Sequence, residues 1–507
     1  MKSIAFIIVT TILLLGCSST PKKNTAEKFY DPTWESLKAH NAAPEWFQDA
    51  KFGIYFHWGV YTVPAYGFEW YPRLMHLKND KYFGGDIYNH HLKTYGPPSK
   101  FGYHDFVPMF KAEKFNAEEW AELFKKAGAK FAGPVAEHSD GFAMWASKAT
   151  PWNAFNKGPH RDVVGELEKA IKANDMKFIT TFHHALNLQR YKDSINEKDF
   201  KYSYYPYIKG MPPTSDDPEL KYLYGNIPED EWLKDVWFAK IKEVISNYHP
   251  DLIWFDSCLD LIPEEYRKEM AAYYFNKAEE WKKDVVIVRK QEDLPLDFSV
   301  NDLEKSRMNT MGTQAWMTDE TISTGSWCYT RDLKIKPYDQ LLYVLIDIVS
   351  KNGVLLLNIS PKSDGTIPED QKSVLLKMGD WLQKYGEAIY GTRPWYTFGE
   401  GPTQQPKGDF ENHSEFKKIK YCADDIRYTT KGKYIYALTL GFPGADKEIL
   451  LKAFGKNNMP EKLKIKSVSL LGYNDDINYK ITESGLQVKT PSTVEDGASL
   501  VFKILVD

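Results

Sequence analysis

Between about residues 47 and 395, short apolar runs alternate with amphipathic stretches of helical period, and no other feature constrains the fold as much. Residues 52–57, 130–137, 177–183, 252–256, 285–289, 298–304 and 354–359 read as strands. Helical patterns fall between them at 117–127, 162–174, 231–247, 263–281, 338–350 and 369–385. An eighth strand is expected around residues 313–317. Repeated strand-then-helix units of this count predict an α/β fold, a (β/α)8 TIM-like barrel enlarged by insertions. Nearly every strand ends in polar groups: His57, Glu137-His138, His183-His184, Asp256, Arg289 and Glu304. Parallel strands covered on both faces should be apolar throughout. Polar residues at their C-terminal ends are what a barrel active site requires. A doubly wound sheet would gather a site there too, but no Gly-rich phosphate loop follows the first strand.

After Trp395 the texture changes to short alternating runs at 426–430, 434–440, 463–471, 477–482 and 500–506, separated by Gly, Asn, Asp and Pro. Residues 396–507 therefore read as an antiparallel β-sandwich that stabilises a catalytic barrel spanning 31–395, with carbohydrate binding as its alternative role. The net charge of −4 excludes a nucleic-acid binder, whose phosphate contacts need a basic face. Aromatic residues reach 15%, more than a core needs, and Trp and Tyr stack on sugar rings.

The N-terminus carries Lys2, an apolar run over residues 4–15 and then Leu14-Leu15-Gly16-Cys17, which resembles a bacterial lipobox. The run is too short to span a bilayer as a folded helix. A buried helix is the competing reading, and the polar stretch from Ser18 to Lys23 argues against it. Residues 1–17 are thus expected to be a lipoprotein signal peptide and 18–30 a tether, with a lipid on Cys17 holding the protein to the membrane of a bacterial cell envelope, periplasmic or surface-exposed. Cys258, Cys328 and Cys422 show neither a disulfide framework nor zinc spacing.

Retaining cleavage of a glycosidic bond needs two carboxyl groups about 5–5.5 Å apart, one to attack and one to move a proton. Asp256 ends an apolar strand and is expected at the barrel mouth; the competing role, capping the next helix, is weakened because Pro263 delays that helix. Glu292, Asp293, Asp297, Asp302 and Glu304 are all candidate partners, Glu304 because it follows a short apolar strand, although a salt bridge with Lys305 or Arg307 would equally explain it. His57, His138 and His183-His184 come from three strand ends, with Glu69-Trp70 in a following loop. Without a His-x-His or His-Glu-x-x-His pair a metal is not expected, nor is any cofactor. Neutral imidazoles offer sugar hydroxyls one donor and one acceptor each.

The run from Phe52 to Gly59, Glu69-Trp70-Tyr71, Glu137 to Phe142, Trp254-Phe255-Asp256, Ser350 to Ile359 and Gly386 to Trp395 together resemble family 29 glycoside hydrolases, the α-L-fucosidases. The resemblance covers about residues 30–395 in order and extends to the sandwich. It implies a retaining exo-enzyme acting on terminal α-L-fucose of oligo- or polysaccharides, with Asp256 as nucleophile. His57, Glu69, Trp70 and His138 match positions that hold fucose hydroxyls, and His183 lines the same pocket. Arg289 falls near a family Arg that approaches the nucleophile. Asp302-Leu303-Glu304-Lys305 resembles an Asp-x-Glu-Arg pattern and favours Glu304 as acid/base, while Trp327 resembles the aromatic that packs on the C5 methyl. Two departures bear on specificity: Ser139 stands where the family commonly has a second His, and Tyr55 where Phe is common. They motivate an exo-α-L-galactosidase, or a hydrolase of modified fucose in algal polysaccharides, as an alternative. A glycan-binding lipoprotein without catalysis is the third reading.

Overall fold

The computed structural model describes residues 29–78, 85–190, 203–408, 413–460, 463–474, 477–494 and 497–507. The lipobox and nearly all of the expected tether lie outside these residues. The last residue of that tether is not free: Tyr30 is buried, its backbone is bonded to the Asn276 side chain through both N–H and C=O, and its ring packs on Phe275.

Eight strands, β1 (Phe52–Phe56), β2 (Phe131–Glu137), β3 (Lys177–Phe182), β4 (Leu252–Phe255), β5 (Val286–Arg289), β6 (Val300–Asn301), β7 (Trp316–Thr321) and β8 (Gly353–Ile359), pair in parallel in the order 6-5-4-3-2-1-8-7. The ring closes between β6 and β7 through a single bridge, Asp302–Met317, extended by Lys305 N–H donating to the Asp319 carbonyl at 2.8 Å. This is the predicted (β/α)8 barrel. Alternate residues split the strands between two cores. Tyr55, Val135, Ile179, Trp254, Val288 and Met317 fill the barrel interior, while Ile54, Phe56, Phe178, Ile253 and Ile287 pack against the helices. The helices start where local chemistry lets them. Asn116 accepts from the N–H groups of Glu118 and Glu119, Asp162 accepts from Gly165 N–H, and Pro263, Pro337 and Pro368 precede three others.

Two barrel strands differ from expectation. The sixth, expected over 298–304, is confined to Val300–Asn301, since Glu304 and Lys305 turn the chain away with φ of 28° and 53°. The eighth, expected near 313–317, is β7 at Trp316–Thr321; Thr318, Asp319, Glu320 and Thr321 are all buried, and their polarity hides the strand from a hydrophobicity reading.

The C-terminal unit is the predicted antiparallel sandwich. Strands β9 (Arg393–Glu400), β10 (Ile426–Lys431), β11 (Tyr434–Thr439), β12 (Glu448–Leu451), β13 (Ile465–Leu470), β14 (Tyr479–Thr482), β15 (Gly485–Lys489) and β16 (Val501–Val506) form a five-stranded sheet, 13-16-11-10-9, and a three-stranded sheet, 12-15-14. Tyr428, Ala437, Phe454, Leu486 and Phe502 make its separate core. Strand β9 pairs with β10 from Arg393 onward and so straddles the expected boundary between 395 and 396.

Candidate active site

The side-chain alternation that fills the barrel also builds its mouth. One step beyond the interior residues Tyr55, Ile179, Trp254, Val288 and Met317, the same parity brings His57, His183 (two steps on), Asp256, Lys290 and Asp319 inward. On β2 the register slips between Val135 and Glu137, so His138 points inward instead of Glu137. The resulting cavity of about 300 Å³ is lined by these residues with Glu69, Trp70, Trp254, Cys258, Glu304 and Trp327 among others.

Lys290 is the electrostatic centre. Its Nζ lies 2.6 Å from Asp256 Oδ1, contacts Glu304 Oε2 as well, and sits 4.9 Å over the Trp254 ring. Two oxygens on one ammonium nitrogen are at most about 5.5 Å apart. Burial alone would raise the Asp256 pKa, but Lys290 and the His183 imidazole, 3.2 Å from Oδ2, outweigh it and hold the carboxyl well below its usual range. Asp256 is therefore ionised. It caps no helix, since Cys258 precedes the short 3-10 turn Leu259–Leu261 and Pro263 the next α-helix at Glu264. Glu304 reaches Lys290 from the left-handed backbone noted above, a strained geometry for a residue with a Cβ. Behind it, Asp302 and Asp319 share a hydrogen bond between their carboxyl groups, and burial raises both above the usual carboxylate range.

The imidazoles are oriented by their neighbours. Asn358 Oδ1 accepts from both His57 N–H and, at 2.7 Å, His57 Nδ1, which leaves Nε2 as an acceptor toward the cavity. Asn358 Nδ2 donates to the Trp327 carbonyl at 2.7 Å, which fixes the amide's orientation. Thr181 Oγ1 lies 3.1 Å from His183 Nε2. Burial, reinforced by the neighbouring imidazoles, holds His57 and His138 well below the usual histidine range, so both are neutral. Glu69 accepts from Trp327 N–H at 3.3 Å, and burial pushes its pKa up to about 7.

Of the residues singled out in sequence, His57, Glu69, Trp70, His138, His183, Asp256, Glu304 and Trp327 converge on the cavity. Three do not line it. Arg289 has the wrong parity: its guanidinium turns to the Leu294 carbonyl, and Lys290 occupies the place expected for it. Ser139, displaced by the β2 slip, donates to the His183 carbonyl at 2.6 Å. Tyr55 lies beneath the cavity and spends its hydroxyl on Asp319 Oδ2 at 2.6 Å. Lys290, Asp319 and Asn358 went unrecognised; counting by twos from Val288, Met317 and Leu356 would have found all three. Local spacing also argued against a metal, yet the fold brings nitrogens of His57, His138 and His183 within 4.8 Å of one another.

A closed barrel with a carboxylate nucleophile candidate, a second carboxyl beside it and neutral imidazoles around a pocket of monosaccharide scale is the construction of a glycoside hydrolase. The α-L-fucosidase family model matches residues 17–387 and the α-L-fucosidase C-terminal domain model residues 420–504, and the chain belongs to that family. An α-L-fucosidase of Branchiostoma floridae is 30% identical over 91% of this chain and 92% of its own length. The tissue α-L-fucosidase of Rattus norvegicus is 29% identical over 92% and 90%. Among solved structures, the Thermotoga maritima α-fucosidase in complex with fucose aligns with a TM-score of 0.70 at 30% identity, covering 93% of this chain and 99% of that one.

Proposed function

We propose that this enzyme removes terminal α-L-fucose from glycans with retention of configuration, by double displacement. The observation that carries the reading is the single ammonium of Lys290 on both Asp256 and Glu304, which keeps the two carboxyl groups within the span used by retaining enzymes rather than the wider gap that admits an extra water. In the first step Asp256 attacks the anomeric carbon, the bond to the glycosidic oxygen breaks, and Glu304 gives that oxygen a proton. In the second, Glu304 takes a proton from water, whose oxygen displaces Asp256 from the sugar. Donation requires Glu304 protonated, hence released from Lys290, whose ammonium stays on Asp256 Oδ1. A pocket of about 300 Å³ suits one terminal ring, in keeping with exo action. His57, His138 and Glu69 take its hydroxyls, and the half-buried Trp327 offers an apolar face.

A second reading is favoured by one contact. Asp319, held by Tyr55, brings a carboxyl to a cavity that Trp254 and Trp327 also line. A sugar with a hydroxymethyl group, such as α-L-galactose, would give that carboxyl a donor. Nitrophenyl α-L-fucoside and α-L-galactoside, assayed with wild type and Asp256→Ala while the first-formed anomer is followed by NMR, test both. Fucose released as the α-anomer, with turnover down roughly 10⁴-fold in the variant, is expected. An inverted product or unchanged turnover refutes the mechanism, and a large galactoside preference transfers the substrate to the second reading. We further propose that the lipid-anchored envelope location follows from the Leu14-Leu15-Gly16-Cys17 sequence; incorporation of labelled palmitate, lost in Cys17→Ala, tests it.

A further inference from the structure

We infer that His57, His138 and His183 form a transition-metal site, and that Zn²⁺ bound there closes the pocket in competition with the terminal sugar. All three side chains are buried, and one nitrogen of each lies within 4.8 Å of the others. Tetrahedral ligation at about 2.0–2.1 Å sets nitrogens about 3.4 Å apart, closer than the present 4.8 Å limit, so the imidazoles must turn inward as the ion binds. With Zn–N bonds of about 2.0–2.1 Å, a ring centre sits about 3.2 Å from the metal, so tetrahedral ligation places ring centres about 5.2 Å apart. The observed separations, 5.7 Å for His57–His138, 5.1 Å for His57–His183 and 4.9 Å for His138–His183, bracket that value.

The outer contacts are also those of a metal site. Ligating histidines characteristically give their second nitrogen to an oxygen, which fixes tautomer and orientation. Asn358 Oδ1 does this for His57, and Thr181 Oγ1 stands 3.1 Å from the Nε2 of His183, whereas the Nδ1 of His138 has no such oxygen. Asp256 Oδ2, 3.2 Å from His183 Nδ1, is placed to be the fourth ligand, and the adjacent Lys290 sits on the other oxygen. Metal and sugar would use the same imidazole lone pairs, so occupancy by one excludes the other. This exclusion rests on the pocket being the sugar site, whereas the metal site itself does not.

The test is calorimetric titration of ZnCl2 into the metal-free full chain, repeated with L-fucose present, alongside fucoside hydrolysis with and without zinc. One zinc per chain is expected, displaced by fucose. Zinc at ten times its dissociation constant should raise apparent KM about elevenfold and leave kcat unchanged. His57→Asn and His138→Gln should each weaken zinc by about tenfold or more, while Cys258→Ser, which removes the cavity's thiol, should not. Should a histidine variant fail to fold, the visible spectrum of Co²⁺ bound to the wild type reads nitrogen ligation and tetrahedral geometry directly. Absence of saturable binding, dependence on Cys258 alone, an octahedral cobalt spectrum, or simultaneous binding of zinc and fucose would each overturn the proposal. A protein that binds zinc as described yet hydrolyses no fucoside would count against the fucosidase reading alone.

Discussion

Two buried charge clusters in this protein are built with opposite polarity. At the barrel mouth one cation, Lys290, stands among Asp256 and Glu304, with Asp302 and Asp319 behind them. Where the barrel meets the sandwich, one anion, Asp347, stands among Lys351, Arg427 and Arg307, with Gln405 adding an N–H. Burial alone would neutralise either centre, but the surrounding charges outweigh it. They hold Asp347 well below the carboxylate range and Lys290 well above the lysine range. The difference lies in how the excess charge is treated. At the junction the groups are sealed, and the surplus positive charge leaves Lys351 lowered by burial to about 8. At the mouth the surplus is negative, and burial with mutual repulsion obliges the Asp302–Asp319 pair to keep a proton. The sealed cluster gives cohesion. The open one keeps Asp256, the proposed nucleophile, ionised and a proton in store beside the cavity.

Removing each centre should therefore fail differently. The largest effect is expected for Asp347→Asn, which strands two guanidinium groups and an ammonium in the interior. We expect a loss of about 3–5 kcal/mol in denaturant unfolding, with turnover per folded molecule little changed. The Asp347 pKa is depressed by folding, so its stabilisation is present above pH ~4 and lost as pH falls below it; the acid limb of the stability profile should flatten in the variant. Next comes Lys290→Met. There kcat should fall about 10²-fold and the acid limb of the rate profile should move to higher pH as Asp256 loses its cation, while KM changes little and stability falls by less than in Asp347→Asn. A uniform loss of stability instead would make Lys290 structural and erase the contrast.

The smallest expected effect concerns Glu69, whose pKa burial raises to about 7. Folding favours its protonated form, so its stabilising contribution is complete below pH ~4.5 and disappears as pH rises through 7. Thermal melts of Glu69→Gln should match wild type near pH 5 and gain on the order of 1–2 kcal/mol at pH 8, with KM raised by the lost acceptor. Equal shifts at both pH values would contradict the buried-acid account.

Much of this site was legible because a parallel barrel puts two independent demands on each strand, apolar on both faces and polar at the C-terminal end. His57, His183 and Asp256 satisfy both and stand out. His138 was visible too, although its inward turn depends on a slip of register in β2 that no local pattern announces. Arg289 and Lys290 were indistinguishable as charges after a strand, and only their parity relative to Val286 and Val288 separates them. Strand β7 is expected too early in the chain because four buried polar residues occupy it, their hydrogen bonds supplied by partners outside the strand such as Tyr55, Asp302 and Lys336.

By itself the sequence determined the succession of strands and helices, the family, the sandwich and the carboxylate at the end of β4, since periodicity, strand-end polarity and motif order are properties of the chain read locally. Tertiary structure alone decided that Lys290 joins Asp256 to Glu304, that Tyr55 lies beneath the cavity and Ser139 outside its lining, and that three histidines from separate strands meet. Those outcomes depend on register and closure, which bring residues of different strands within hydrogen-bonding reach whatever their separation in sequence, 34 positions for Asp256 and Lys290 and 264 for Tyr55 and Asp319.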